Sequence, residues 1–95
     1  MRLAAKVDGN QPALVAKLRE LPGVSVQPLH VVGRGCPDIL VGHDRRNYLF
    51  ELKDPDQPKS GRALTPAECT WHVNWSGQVA VAESLEDCLA VMGLQ

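Results

Sequence analysis

Aromatic side chains are scarce in this chain. Two Trp, one Tyr and one Phe make up 4% of its 95 residues. Its core must therefore be filled by Leu, Val, Ile and Ala, and the length allows one domain, residues 1–95, with a modest core. Long apolar runs are missing too. None approaches the roughly 18 residues of a membrane-spanning helix. The opening stretch Met1-Arg2-Leu3-Ala4-Ala5-Lys6 lacks the apolar centre of a secretory leader, so a cytoplasmic protein without membrane contact is expected. The three cysteines, Cys36, Cys69 and Cys88, are odd in number and widely spaced; they read as buried free thiols, neither a disulfide framework nor a zinc site.

Nor is there an excess of basic residues. Ten Lys/Arg against eleven Asp/Glu give a formal net charge of -1, so no global positive field announces a polyanionic partner. The charges are unevenly spread. Residues 1–47 hold seven basic and four acidic side chains, whereas residues 48–95 hold three and seven. A site that gathers carboxylates around a metal subtracts from the total, so near-neutrality leaves nucleic-acid enzymes open.

Glycine and proline clusters divide the chain into short elements. A helix is expected over residues 10–21, with Asn10 as N-cap, Pro12 in the first turn and Leu14, Leu18 and Leu21 on one face; Pro22-Gly23 stops it. Val24, Val26 and Leu29 alternate with other residues as a short strand, and Gly33-Arg34-Gly35 forms a flexible loop. Residues 37–41 and 48–53 read as the strands of a hairpin around the polar turn at 43–47. Residues 54–62, with Pro55, Pro58, Ser60 and Gly61, read as a mobile surface loop. Thr65-Pro66-Ala67-Glu68 opens a helix with a capping box, and Gly77 ends it. A strand over 78–82 and a last helix from Ser84 to Gly93 complete the order αβββαβα. The fourth strand follows a helical crossover and should run parallel to an earlier one. The expected fold is α/β: a single mixed sheet flanked by helices.

Chemistry concentrates in Pro37-Asp38 and in Glu51-Leu52-Lys53. Alternation along a strand puts Glu51 and Lys53 on one face, and antiparallel pairing brings Asp38, at the mouth of the preceding strand, beside them. Two close carboxylates repel unless a proton or cation lies between them. Mg²⁺ takes oxygen ligands, often one or two carboxylates together with phosphate oxygens. Asp38 and Glu51, with the Leu52 carbonyl, form a candidate Mg²⁺ site in which Mn²⁺ can substitute. Lys53 would orient a water or stabilise developing negative charge. The alternative is a structural ion pair of Lys53 with Glu51 or Asp38.

These residues resemble the PD-(D/E)xK nuclease superfamily, and more closely its small phage and bacterial members of the VRR-Nuc group. Asp8-Gly9-Asn10-Gln11, Gly33-Arg34-Gly35-Cys36 and Leu64-Thr65-Pro66 before Trp71-His72 carry the likeness, which spans about residues 8 to 92. The resemblance implies a restriction-endonuclease-like core and a Mg²⁺-dependent DNA endonuclease of bacterial or phage-infected cells, selective for branched or junction DNA. It implies that Asp38 and Glu51 are metal ligands and Lys53 the catalytic lysine. Gln11 stands where relatives carry a Glu or Gln near the metal. Where many relatives have Gln in the second helix, this chain has Glu68 and Cys69; Glu68 is either a capping residue or a catalytic one.

Arg34, Lys59 and Arg62 are candidate phosphate contacts, giving salt-dependent affinity without sequence readout. Trp71 and Trp75, at helical spacing, read as core or subunit contacts ahead of base stacking. A domain this small offers little surface to a duplex, so a homodimer is expected. The competing readings are a non-catalytic nucleic-acid-binding or assembly module with a nuclease-like fold, and a small structural protein with an incidental acidic pair.

Overall fold

A computed structural model describes residues 9–95. The leader reading of residues 1–6 and the place of Asp8 fall outside the described residues. The elements are α1 (Gln11–Glu20), β1 (Val24–Pro28), β2 (Ile39–His43), β3 (Arg46–Leu52), α2 (Lys59–Arg62), α3 (Pro66–Asn74), β4 (Ala80–Ala82) and α4 (Leu85–Met92). The strands form one sheet in the order β1-β2-β3-β4; β1/β2 and β2/β3 are antiparallel, β3/β4 parallel. This is the expected α/β arrangement, one mixed sheet flanked by helices, with the parallel pair reached through a helical crossover. Among the described residues, no helix is long and apolar enough to cross a membrane.

Local chemistry explains most boundaries. Asp44 and Arg45 both take positive φ, 50° and 62°, and close the β2–β3 hairpin in two residues. That turn geometry follows the natural twist of the strands. At α3 the capping box is complete: the Thr65 side chain accepts from the Glu68 amide, and the Glu68 carboxylate accepts from the Thr65 amide. Ser84 caps α4 by accepting from the Asp87 amide, and Gly93 ends it in the left-handed conformation.

Several boundaries differ from expectation. Asn10 holds the N-cap position but makes no side-chain cap bond: its backbone is already helical, and its side-chain amide donates to the Lys53 carbonyl at 3.1 Å. The supposed loop at 54–62 contains the one-turn helix α2, whose Gly61 amide bonds back to the Pro58 carbonyl. β1 stops at Pro28, before Leu29. α3 ends at Asn74, so Trp75 rather than Gly77 closes it. Gln78 and Val79 precede β4, yet the Gln78 amide bonds both the N–H and the carbonyl of Leu49, continuing the pairing with a side chain. The core reading of the two Trp residues fails: α3 has no buried residue, and Trp75 is 45% exposed.

The sheet has two unlike faces. Ile39, Val41, Phe50, Leu52 and Ala82 point inward to Leu14, Val15 and Leu18 of α1 and to Cys88 and Met92 of α4. Alternation sends Asp38, Leu40, Leu49, Glu51 and Lys53 to the opposite face. There the start of α3 leans on the Gly33–Gly35 loop. Gly35 has φ +81°, and a Cβ on it would collide with the Ala67 carbonyl and lie 2.9 Å from the Glu68 nitrogen. The contact can form only with glycine there. Gly35→Ala is therefore expected to cost at least about 1 kcal/mol of stability, measured by urea unfolding, and to disturb Glu68 with it.

Candidate active site

Asp38, Glu51 and Lys53 converge. The β2–β3 register pairs Ile39 with Phe50, and the Asp38 amide extends the ladder by donating to the Phe50 carbonyl at 3.0 Å. Asp38 and Glu51 are thereby cross-strand neighbours on one face. Beyond β3, the Lys53 amide donates to the Ala82 carbonyl, so the alternation holds through Lys53 as well. Asp38 Oδ2 accepts from the Leu52 amide at 2.7 Å, which fixes its carboxylate over the end of β3. Leu52, the expected carbonyl ligand, is fully buried between Glu51 and Lys53. The Asn10–Lys53 bond brings the first turn of α1, and Gln11 with it, to the same strand end. Gln11, Asp38, Glu51 and Lys53 are 4%, 5%, 2% and 6% exposed, and among the described residues they are the buried polar side chains.

Glu68 joins them. Its Oε1 accepts from Lys53 Nζ at 2.8 Å while also accepting from the Thr65 amide at 2.9 Å. Lys53 Nζ is 3.7 Å from Glu51 Oε2. The Thr-x-x-Glu spacing foretold the capping box; nothing local foretold that the capping carboxylate would also hold the lysine, because that depends on where α3 docks. Cys36 lies close enough to feel the same charges. Burial, then Glu51 and Asp38, raise its thiol pKa, so it is no activated nucleophile.

The phosphate-contact candidates are dispersed. Arg34 is exposed in the loop backing α3, and Lys59 is exposed at the start of α2. Arg62 is half-buried and paired with Glu83 at 3.5 Å.

The carboxylates divide their protons unequally. Glu51 is pushed up to about 10 by burial first, then by hydrogen bonding to Asp38 and by the like charges of Asp38 and Glu68. Burial also pushes Glu68 upward, but hydrogen bonds from Lys53 and Thr65, a hydrogen bond with Glu51 and the Lys53 charge outweigh it, leaving Glu68 below its ordinary value. Metal-free, Glu51 is thus neutral and Glu68 ionised at neutral pH.

The buried ligand donors at this strand end are oxygens. Among the described residues, Glu51 Oε1 and Gln11 Oε1 are buried with no hydrogen-bond donor, and burial beside Asp38 raises the Glu51 pKa. All are hard oxygen donors, the type that Mg²⁺ and Mn²⁺ prefer. The set is lean: among the described residues no group of three or more His, Cys, Asp or Glu is arranged to hold a metal. Amide, backbone and substrate oxygens would complete the coordination. No protein-family model matches the chain, and no curated protein or solved structure matches it.

A raised carboxyl pKa in the folded state favours folding below the unfolded value and loses that benefit as pH climbs through the folded one. The metal-free protein should therefore lose thermal stability as pH rises from about 4.5 towards about 10. Glu51→Gln should flatten this decline in a melting-temperature series taken in EDTA. Mg²⁺ binding must displace the proton, so calorimetry should find its affinity rising with pH.

Proposed function

We propose that this chain is a divalent-metal-dependent DNA endonuclease of the PD-(D/E)xK type. The supporting observation is the burial of Asp38, Glu51 and Lys53 together at one strand end, where burial and the neighbouring Asp38 raise the Glu51 pKa. Burying two carboxylates and a lysine in a domain with so small a core is costly unless the cluster has work to do. The sequence pattern of these residues resembles that superfamily, and the strand order is compatible with its core.

Bound there, Mg²⁺ or Mn²⁺ supplies Lewis-acid polarisation of a phosphate oxygen and lowers the pKa of water. Asp38 and Glu51 would hold the cation, with the amide oxygen of Gln11 and the carbonyl of Leu52 as further candidate donors. Asp38 is kept in place by the Leu52 amide. Lys53 presents its ammonium to the non-bridging oxygens of the scissile phosphate, where negative charge accumulates during attack. Glu68 restrains that ammonium from the far side. Arg34 and Lys59 are free to approach flanking phosphates, while Arg62 must first leave Glu83. Selectivity for branched or junction DNA, action as a homodimer and a place in the cytoplasm of a bacterial or phage-infected cell belong to this proposal through the resemblance.

The test is cleavage of single-stranded, duplex, flapped and four-way DNA with Mg²⁺ or Mn²⁺, against EDTA. Asp38→Ala and Glu51→Ala should abolish cutting and leave the fold intact. Lys53→Ala should slow cutting by about 10²–10³-fold with little change in metal affinity. DNA binding that survives EDTA, with no cutting under either metal, would replace the enzyme by a non-catalytic binding module. Loss of folding in both carboxylate variants would mark a structural ion cluster.

A further inference from the structure

α3 carries an open groove of about 550 Å³ lined by Arg34, Ala67, Thr70, Trp71, Asn74 and Trp75. We propose that this groove is a stacking subsite for an unpaired nucleobase of the DNA strand that enters the candidate active site. The inference deepens the nuclease reading and rests on it for the choice of DNA as the polymer.

Four observations carry it. First, the aromatic surface is left uncovered. Trp71 and Trp75 stack on each other with centroids 4.6 Å apart and planes 22° apart, and Trp75 remains 45% exposed. The pair is one firm platform, braced where Trp75 Nε1 donates to the Gln78 carbonyl at 3.2 Å. Bases of any identity stack on such a surface.

Second, the charge is complementary. The lining includes the Arg34 guanidinium and no carboxylate. Among the described residues Arg34 forms no salt bridge. Its left-handed backbone, φ 58°, lies between two glycines that are also left-handed, and the residue is exposed. A cation beside an aromatic platform matches a phosphate beside a base.

Third, Thr70 and Asn74 add hydrogen-bonding groups along the same wall. The volume lies within the ~300–1,000 Å³ typical of small-molecule sites, which accommodates a nucleotide.

Fourth, both walls continue into the candidate active site. Ala67 and Trp71 flank Glu68 on α3, and Glu68 holds Lys53. Arg34 precedes Asp38 by four residues, and Gly35 rests against Ala67. The groove and the carboxylate cluster are thus joined through Glu68 and the Gly35 loop.

Trp71 and Trp75 are the two tryptophans of the chain, so intrinsic tryptophan fluorescence reports on this groove alone. The experiment titrates the protein in EDTA, where no cutting occurs, with oligo-dT and with a duplex of equal phosphate content. Oligo-dT should quench the emission more than the duplex does. Trp75→Ala should weaken oligo-dT binding about tenfold, while Trp75→Phe, which keeps an aromatic face, should restore most of it. Arg34→Gln should lower the slope of log affinity against log salt by about one. Unquenched emission, or Trp75→Ala binding as tightly as the parent, overturns the subsite. So does a dimer, seen by sedimentation, that Trp75→Ala dissociates without changing DNA affinity, because the groove is then a subunit contact. Quenching by oligo-dT with the expected Trp75 dependence, but no cleavage with Mg²⁺ or Mn²⁺, supports the groove and removes the nuclease reading. Cleavage by a protein whose Trp75→Ala variant binds normally removes the groove alone.

Discussion

Asp38 and Glu51 lie next to each other on adjacent strands, nearly without solvent, and their mutual repulsion must be answered. In the metal-free chain a proton on Glu51 answers it. Everything around the pair can be read as support for that arrangement. The Leu52 amide holds one carboxylate in place, Lys53 offers positive charge from the same face, and Glu68 holds Lys53. Among the described residues, Glu51 Oε1 and Gln11 Oε1 have no hydrogen-bond donor. Both are hard oxygens, the donor type that the proposed Mg²⁺ prefers.

The fold serves this cluster by separating two tasks. One sheet face, with α1 and α4, holds nearly all the apolar core. The other face is left for ionisable groups, which therefore need not share space with the packing that stabilises the domain. Burial on that face comes from backbone closeness rather than from a second apolar layer: Gly35 lets α3 approach, and α3 itself buries no side chain. Glu68 ties the two tasks together, since one carboxylate both starts a helix and restrains the lysine.

The same economy leaves α3 exposed. A helix with a half-buried Trp71 stacked on an exposed Trp75, beside an arginine that forms no salt bridge among the described residues, is an unusual surface for so small a protein, and its position beside Glu68 links it to the ionisable cluster. The chain's near-neutral net charge is therefore a poor guide to its partners. What matters is where the few positive groups stand: Lys53 inside the cluster, Arg34 and Lys59 outside it, and Arg62 engaged by Glu83.

Much of this was legible in the sequence. Period-two alternation, the polar turn read over 43–47, which tightens to Asp44-Arg45, the capping box of Thr65 and Glu68 and the Ser84 and Gly93 signals are local, and they gave the order of elements apart from α2, and the mixed sheet. They also gave the meeting of Asp38, Glu51 and Lys53, because hairpin register is fixed by a short turn and by which face is apolar. Other features were invisible. Asn10 looked like a cap because its residue type suits one, but the end of β3 offered its amide a carbonyl. Trp71 and Trp75 looked like core because they are large and helically spaced, but whether a helix face is covered depends on what docks against it. The second contact of Glu68, the orphaned oxygen of Gln11 and the engagement of Arg62 are likewise meetings between distant segments. The sequence by itself determined the elements, their order and the facing of side chains along each strand, since those follow from bonds and turns a few residues long. Only the tertiary structure decided which charges are buried, which are paired and which surface is left open, since those depend on the docking of helices that the chain separates by tens of residues.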